Sequence, residues 1–134
     1  MAGPLQGVVV LDLSRILAGP WATQVLADFG AEVIKVEHPR GGDDTRNWGP
    51  PYLKNEAGLD TTESAYYLAA NRGKRSVAID LATAEGQSLV RRLAAQADVL
   101  VENFKVGGLA RYGLAYEDLA PLSPRLVYLS ISAF

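Results

Sequence analysis

Polar and aromatic side chains follow a short apolar run in the second half of the chain. Residues 99–101 are Val-Leu-Val, and Asn103, Phe104 and Lys105 come directly after Glu102. The apolar, β-branched run predicts a buried strand, and open α/β sheets bind ligands beyond the carboxyl ends of their strands. An amide beside an aromatic ring fits a heterocycle or a polar amide chain, whereas Lys105 and Arg111 fit phosphate. This stretch therefore predicts a site for a ligand that carries phosphate.

A second candidate site is the turn at residues 14–20, Ser-Arg-Ile-Leu-Ala-Gly-Pro, after the first predicted strand. Of the glycine pattern G-x-G-x-x-G it contains Gly19 alone, so the fingerprint of an NAD or FAD site is absent. Free N–H groups at a helix start could bind an anion, with Arg15 beside them. A structural turn with a solvated arginine explains the turn equally well, and both interpretations stay open.

Charged residues after the second predicted strand also allow two interpretations. His38 and Arg40 follow it directly, at the expected edge of the crevice, although a lone histidine at a loop start is more often a surface residue. The paired acids Asp43 and Asp44 suggest a metal ligand or a nucleophile. Adjacent carboxylates in a glycine-containing loop more often cap the next segment or pair with an arginine, and we favour that structural role.

Residues 71–75, Asn-Arg-Gly-Lys-Arg, place three positive charges before another predicted strand. A solvated basic turn is the ordinary interpretation of such a cluster. Lysine and arginine also bind phosphates by charge, so a phosphate contact is the alternative.

Strands that alternate with helices must position these residues. The predicted strands cover residues 8–13, 31–37, 76–80, 99–101 and 125–132. Short helices are predicted near residues 63–70 and 116–120, and residues 38–60 form a long loop whose length suggests function. This alternation predicts an α/β fold, a Rossmann-like parallel sheet with flanking helices.

Two longer helices complete the pattern. The first starts at Gly19-Pro20, with Pro20 at the first helical position, and its apolar face is predicted to be Trp21, Val25 and Phe29. The second starts after Thr83 as N-cap and extends through residue 97, with two adjacent apolar rows.

Composition limits the classes of function. The 134 residues are 49% hydrophobic, which suffices for one domain with a real core, and the formal net charge is −2, which argues against a nucleic-acid partner. There is no cysteine and one histidine, so a thiolate or zinc site is not expected. No apolar stretch approaches the roughly 20 residues of a membrane span, and we expect a cytoplasmic protein that does not contact membranes.

Four segments together resemble a known family. They are LDLSRILAGPWATQVLADFGAEVIKVEHPRGGDDTR, NRGKRSVAIDLATAEG, ADVLVENFKVGGLARYGL and PRLVYLSISAF. In this order they resemble the start of the class III CoA-transferases, the family of formyl-CoA transferase, the carnitine CoA-transferase and α-methylacyl-CoA racemase. Within the family, GDDTR followed by WGPP is most similar to dicarboxylate transferases that use succinyl-CoA.

The resemblance implies that coenzyme A or an acyl-CoA binds as a substrate, with no tightly bound cofactor. Carried over by position, the residues implied to contact CoA are Arg15, Ile16, Leu17, His38, Ile79, Asp80, Leu81, Ala82, Asn103, Phe104, Lys105 and Arg111. Position 38 is often arginine in the family, and Arg40 could supply the charge that His38 lacks.

The resemblance also implies the chemistry. A family aspartate attacks the acyl-CoA thioester, and CoA then passes through an aspartyl thioester to a carboxylic acid acceptor. That aspartate follows the segment that SISAF matches, so no catalytic residue is assigned within residues 1–134. The expected organisation is an incomplete CoA-binding domain over residues 1–134, the N-terminal portion of a longer family chain.

Family membership further implies an interlocked homodimer of full-length chains and, for this portion alone, exposed apolar surface and marginal stability. Two other functions stay open. An acyl-CoA racemase would use an acid/base pair in place of the acyl-aspartyl intermediate. A non-catalytic CoA- or nucleotide-binding module would regulate or scaffold a partner.

Overall fold

A computed structural model describes residues 3–133, and five parallel strands form its main sheet. The strands of this sheet are β1 (Val9–Asp12), β2 (Glu32–Glu37), β5 (Lys74–Ala78), β6 (Val99–Glu102) and β7 (Val127–Ser130). Their order is β5-β2-β1-β6-β7, and every neighbouring pair is parallel. The chain winds outward from β1 in both directions, so the predicted Rossmann-like α/β sheet is confirmed.

Within residues 3–133, four helices and a small hairpin accompany this sheet. The helices are α1 (Ala18–Asp28), α2 (Ala65–Asn71), α3 (Ala84–Ala94) and α4 (Tyr116–Leu119). Antiparallel strands β3 (Tyr52–Lys54) and β4 (Asp60–Ser64) form the hairpin, and 3₁₀ turns cover Asp44–Asn47 and Ala110–Tyr112. The prediction of a loop over residues 38–60 was therefore wrong in part, because β3 has three residues and β4 is polar, so neither strand shows an apolar alternation that would reveal it.

Each face of the sheet has its own apolar cluster. On one face, Leu11 and Leu100 pack with Val90 and Ala94 of α3 and with Leu119 of α4. The opposite cluster contains Val10, Val33 and Val101, against which Leu26 and Ala27 of α1 pack. Strand alternation explains the division, because successive side chains point to opposite faces. In α3, the second of the two longer predicted helices, Val90 and Ala94 are buried and Leu93 is partly buried against the same cluster, whereas Leu89 is exposed.

Helix α1 departs from the prediction in two ways. It begins at Ala18, so Pro20 occupies the third helical position, where its missing N–H still leaves no hydrogen bond unmade. The predicted apolar face is exposed: Trp21, Val25 and Phe29 are 58%, 50% and 52% exposed. The residues that α1 buries are Gly19, Pro20, Thr23 and Gln24.

The reason lies in the sheet beneath α1. The carboxyl half of that face carries Asp12 and Lys35 rather than apolar residues, and the Lys74 side chain reaches Asp12 from the start of β5. Thr23 Oγ1 donates a 2.6 Å hydrogen bond to Asp12. Gln24 Oε1 accepts a 2.7 Å hydrogen bond from the backbone amide of Arg72. Because this half of the sheet face is polar, α1 packs against it with small and polar residues. A search for apolar periodicity could not detect this orientation of the helix.

No helix of the part that the structure describes is long and apolar enough to cross a membrane.

Candidate functional site

A cleft of about 180 Å³ opens at the carboxyl ends of β1, β2, β5 and β6. Its lining residues are Leu13, Arg15, Lys35, Val36, Glu37, His38, Gly42, Asp43, Ile79, Asp80, Leu81, Ala82, Phe104 and Tyr112. The volume is smaller than the roughly 300–1,000 Å³ of a site that encloses a whole ligand. The cleft therefore suits one part of an extended ligand whose remainder lies across the open surface.

The turn after β1 is fastened to the end of β6. The backbone N–H of Arg15 donates to Asn103 Oδ1 at 2.8 Å, and Asn103 Nδ2 donates to the carbonyl of Arg15 at 2.7 Å. The two hydrogen bonds occupy both ends of the amide group. Asn103 thus shapes the turn, instead of presenting a free amide to a ligand as the sequence suggested.

This fastening places an exposed cation at the cleft. The Arg15 guanidinium lies 5.2 Å from the ring centre of Phe104, and both residues line the cleft. Arg111 lies over Tyr112 at 4.5 Å, beside the same opening. Within residues 3–133, none of Arg15, Lys105 and Arg111 forms an ion pair with a carboxylate. Their charges are therefore available to an anionic ligand.

Two acids of the cleft, in contrast, are paired with cations from within the fold. Asp43 forms a buried 2.9 Å ion pair with Lys35, with the two side chains 0% and 1% exposed. Burial raises the pKa of Asp43, but the charge and hydrogen bond of Lys35 outweigh it and lower the pKa overall. Asp43 also caps the 3₁₀ turn that follows, where its side chain accepts from the amide of Thr45. Asp43 therefore has the structural role that the sequence favoured, except that its charged partner is a lysine and not an arginine.

Glu37 is the second neutralised acid. Arg46 donates to both of its oxygens, at 2.7 and 2.8 Å, and Tyr67 and Ser76 each donate at 2.7 Å. Burial raises the pKa of Glu37, but the hydrogen bonds, with that from Arg46 the largest, lower it to about 2. Glu37 is therefore an ionised hub that joins β2, α2 and β5 behind the cleft.

The segment after β5 forms another wall of the cleft. The amide of Ile79 donates to the carbonyl of Glu37 at 2.9 Å, and Asp80 Oδ1 accepts from the amide of Ala82 at the same distance. Thr83 then caps α3, where its hydroxyl accepts from the amide of Gly86. His38 faces the cleft from the end of β2, and its Nδ1 accepts the amide of Arg40 at 3.0 Å.

The structure thus brings together most of the residues that the sequence singled out. Those that line the cleft are Arg15, His38, Ile79, Asp80, Leu81, Ala82 and Phe104. Asn103 and Lys105 border a shallow depression next to it that Phe104 shares. Those placed beside the lining rather than in it are Ile16, Leu17 and Arg111.

Sequence reasoning missed Lys35, Glu37, Gly42 and Tyr112. The two charged residues lie inside an otherwise apolar strand, and charges within a predicted buried strand were a usable signal. Gly42 has φ +69°, and a Cβ there would meet Glu37 at 2.5 Å. Nothing local in the sequence marks Tyr112.

Each of the three cations in the basic cluster at residues 71–75 pairs with an acid, as the ordinary structural interpretation allows. Arg72 pairs with Asp28, and Arg75 with Glu32. The side chain of Lys74 is buried and pairs with Asp12 at 2.9 Å. Burial lowers the pKa of Lys74 to about 8, against the opposing charge of Asp12. The three charges are therefore used inside the fold and at the edge of the sheet.

Fold and cleft together define a parallel α/β protein with Rossmann-like strand order and a cationic opening at the strand ends. The sequence model of CoA-transferase family III matches residues 5–134. The chain belongs to this family.

Individual relatives agree with the family match. A succinate–glutarate CoA-transferase of Agrobacterium fabrum is 60% identical over 98% of this chain and 32% of its own length. The human succinyl-CoA:glutarate CoA-transferase is 50% identical over 98% of this chain and 28% of its own length. The crystal structure of a CAIB/BAIF family protein from Brucella suis superposes with a TM-score of 0.93 at 56% identity, over all of this chain and 34% of that one. The chain thus spans about a third of the length of these relatives.

Proposed function

We propose that this chain forms the CoA-binding part of a CoA-transferase, which moves CoA from an acyl-CoA donor to a carboxylic acid acceptor. The observation that carries the proposal is the convergence of Arg15, His38, residues 79–82 and Phe104 on one cleft, with the charge of Arg15 unpaired. The 3′-phosphate ADP of CoA supplies anions for Arg15, Lys105 and Arg111 and an aromatic base for an apolar recess.

The proposed substrates are dicarboxylic acids and their CoA thioesters. The relatives described above are named for succinate, glutarate and succinyl-CoA, and a further relative, 45% identical, is a succinyl-CoA–D-citramalate CoA-transferase of Chloroflexus aurantiacus. All of these names describe CoA transfer, which favours transferase over racemase activity. CoA is consumed and released as a substrate, so the proposal includes no tightly bound cofactor.

The proposed chemistry uses an aspartate that lies after the segment at residues 130–134. Its carboxylate attacks the thioester carbonyl, and the CoA thiolate leaves as a mixed anhydride forms. The thiolate then attacks the aspartyl carbonyl of that anhydride, which releases the donor acid and leaves an aspartyl-CoA thioester. The acceptor carboxylate then attacks the aspartyl thioester, which releases the CoA thiolate and forms a second mixed anhydride. The thiolate attacks the acceptor carbonyl of this anhydride, which gives the new acyl-CoA and restores the aspartate.

Neither of the two ion-paired acids of the cleft replaces that aspartate. Asp43 is buried and held by Lys35, and Glu37 is held by Arg46, so neither carboxylate is free to attack. This part of the chain is thus proposed to bind CoA without performing the transfer. An interlocked homodimer and a cytoplasmic location belong to the same proposal for the whole protein.

Calorimetric titration with CoA tests the binding site. We expect Arg15→Ala and Arg111→Ala each to weaken binding by roughly tenfold or more, because hydrogen bonds to charged groups are lost. The loss should shrink at high salt, which screens exposed charges.

Arg125→Ala is the matched control. Arg125 is exposed and precedes β7, so it lies toward the amino edge of the parallel sheet, away from the cleft. Measurable CoA binding that neither cleft substitution weakens, or that Arg125→Ala weakens equally, would show that the site is wrongly placed.

A further inference from the structure

The turn after β1 has a conformation that its sequence does not favour. Ile16 has φ +69° and is the single non-glycine residue with positive φ among residues 3–133. A β-branched residue rarely adopts this region, because its side chain crowds its own backbone. Such a conformation persists when the surrounding structure over-determines it, and it is concentrated at functional sites.

Four side chains from four different segments hold this turn. Asp12 accepts the amide of Ser14 at 2.9 Å, and Asn103 binds both backbone groups of Arg15. Lys35 Nζ donates to the carbonyl of Ser14 at 2.9 Å, and the carboxylate of Asp43 lies 3.2 and 3.3 Å from the amide of Ile16.

Two of these four side chains form the buried ion pair. A buried ion pair gives little net stability compared with apolar residues of similar volume, because both charges lose their hydration. Lys35 and Asp43 use that costly arrangement to bind the turn on both sides of Arg15. Their pairing also fixes each partner, because the two charged atoms lie 2.9 Å apart.

We propose that Lys35 and Asp43 are positioning residues, which hold the turn at residues 14–17 in the form that presents Arg15 to CoA. The inference rests on the proposed function for the identity of the ligand, whereas the contacts that hold the turn are observed independently of that function. If the turn relaxes, the fraction of molecules with Arg15 over Phe104 falls, and the apparent affinity falls with that fraction.

The test compares two double variants of the full-length protein. Lys35→Met with Asp43→Leu removes both charges and both hydrogen bonds to the turn and replaces them with apolar side chains of similar length. Lys35→Met with Asp43→Asn also removes the charges, but it keeps an acceptor for the amides of Ile16 and Thr45. We expect the Leu variant to lose roughly tenfold or more in CoA affinity and the Asn variant to recover part of that loss.

A destabilised control separates positioning from stability. Val90→Ala creates a cavity on the opposite face of the sheet and lowers the urea midpoint, but it should leave the affinity of the folded protein for CoA unchanged. An affinity loss in Val90→Ala as large as that in the Leu variant, or no loss in the Leu variant, overturns the inference.

Hydrogen exchange of a peptide that covers residues 13–20 gives a second readout without ligand. We expect the amides of this segment to be protected in the parent protein and to exchange faster in the Leu variant. Unchanged exchange overturns the inference. If the parent does not bind CoA at all, the proposed function fails, and the exchange result still decides whether the pair holds the turn.

Discussion

At the scale of single residues, side-chain chemistry and side-chain role differ in this cleft. Asn103 has the chemistry of a ligand-binding amide, yet its hydrogen bonds hold the backbone of Arg15. Asp43 and Glu37 have the chemistry of nucleophiles, yet Lys35 and Arg46 hold them ionised and occupied. The fold holds Arg15 by its backbone and not by its side chain, so the charge of the side chain stays available to a ligand.

Glu37 provides a pH-dependence prediction at this scale. Its pKa is about 2 in the folded protein, against an ordinary value of 4.5. A carboxyl group with a lowered folded pKa contributes stability that is complete above its unfolded pKa and is lost as the pH falls toward the folded value. We therefore expect Glu37→Gln to lower the free energy of unfolding by on the order of 2–3 kcal/mol at pH 6, and by much less near pH 3.

Urea unfolding of parent and variant at pH 6, 4 and 3 measures this difference. Glu63→Gln is the control, because Glu63 contacts the same Arg46 at 2.7 Å but is one-third exposed. A partly exposed pair contributes little, so its variant should stay close to the parent throughout. A Glu37→Gln difference that does not shrink in acid contradicts the prediction.

At the scale of elements, the two ends of the cleft depend on how helices begin. Helix α1 approaches β1 so closely that a Cβ on Gly19 would lie 2.2 Å from the Cβ of Ser14. Helix α3 instead begins with a side-chain cap, Thr83, directly after cleft residues 79–82. The close contact between Gly19 and Ser14 fixes one wall of the cleft. The hydroxyl group of Thr83 fixes the start of α3, which follows the other wall.

We expect Thr83→Ala to lower the free energy of unfolding by about 1 kcal/mol, because the amide of Gly86 loses its acceptor. Thr83→Ser keeps the hydroxyl group and should stay within a few tenths of the parent value. Urea midpoints measured side by side check both. Equal midpoints for the Ala and Ser variants would mean that the cap does not stabilise α3.

At the scale of the whole molecule, helix α1 presents an apolar surface to solvent. Helices α3 and α4 bury one face, whereas α1 turns Trp21, Val25 and Phe29 outward. Three large apolar side chains at four-residue spacing form a stripe along the helix. Exposed apolar surface of this kind favours association, and the marginal stability expected for residues 1–134 alone stays a prediction.

We expect the 134-residue chain to self-associate through this stripe. Replacing Trp21 and Phe29 with lysine should shift sedimentation velocity profiles toward monomer without lowering the urea midpoint, because neither side chain is part of the buried core. Leu53→Gln with Leu59→Gln is the control, since both leucines are exposed in or beside the hairpin, away from α1. A chain that is monomeric at high concentration before any substitution contradicts the prediction.

The sequence alone determined the α/β alternation, the N-cap Thr83, the carboxyl ends at which ligand-facing residues stand, and the family. These features depend on local periodicity, on capping chemistry or on segment order, which a linear sequence retains. Because carboxyl ends of parallel strands share one edge, the convergence of Arg15, His38 and Phe104 followed from the fold class.

Only the tertiary structure decided which charges remain available to a ligand. Lys35 and Asp43 are eight positions apart, Lys74 and Asp12 are 62 apart, and no local pattern couples either pair. The polar half of one sheet face also turned the apolar row of α1 toward solvent. Burial and pairing arise when distant segments meet, so the division between committed and free cations is a property of packing.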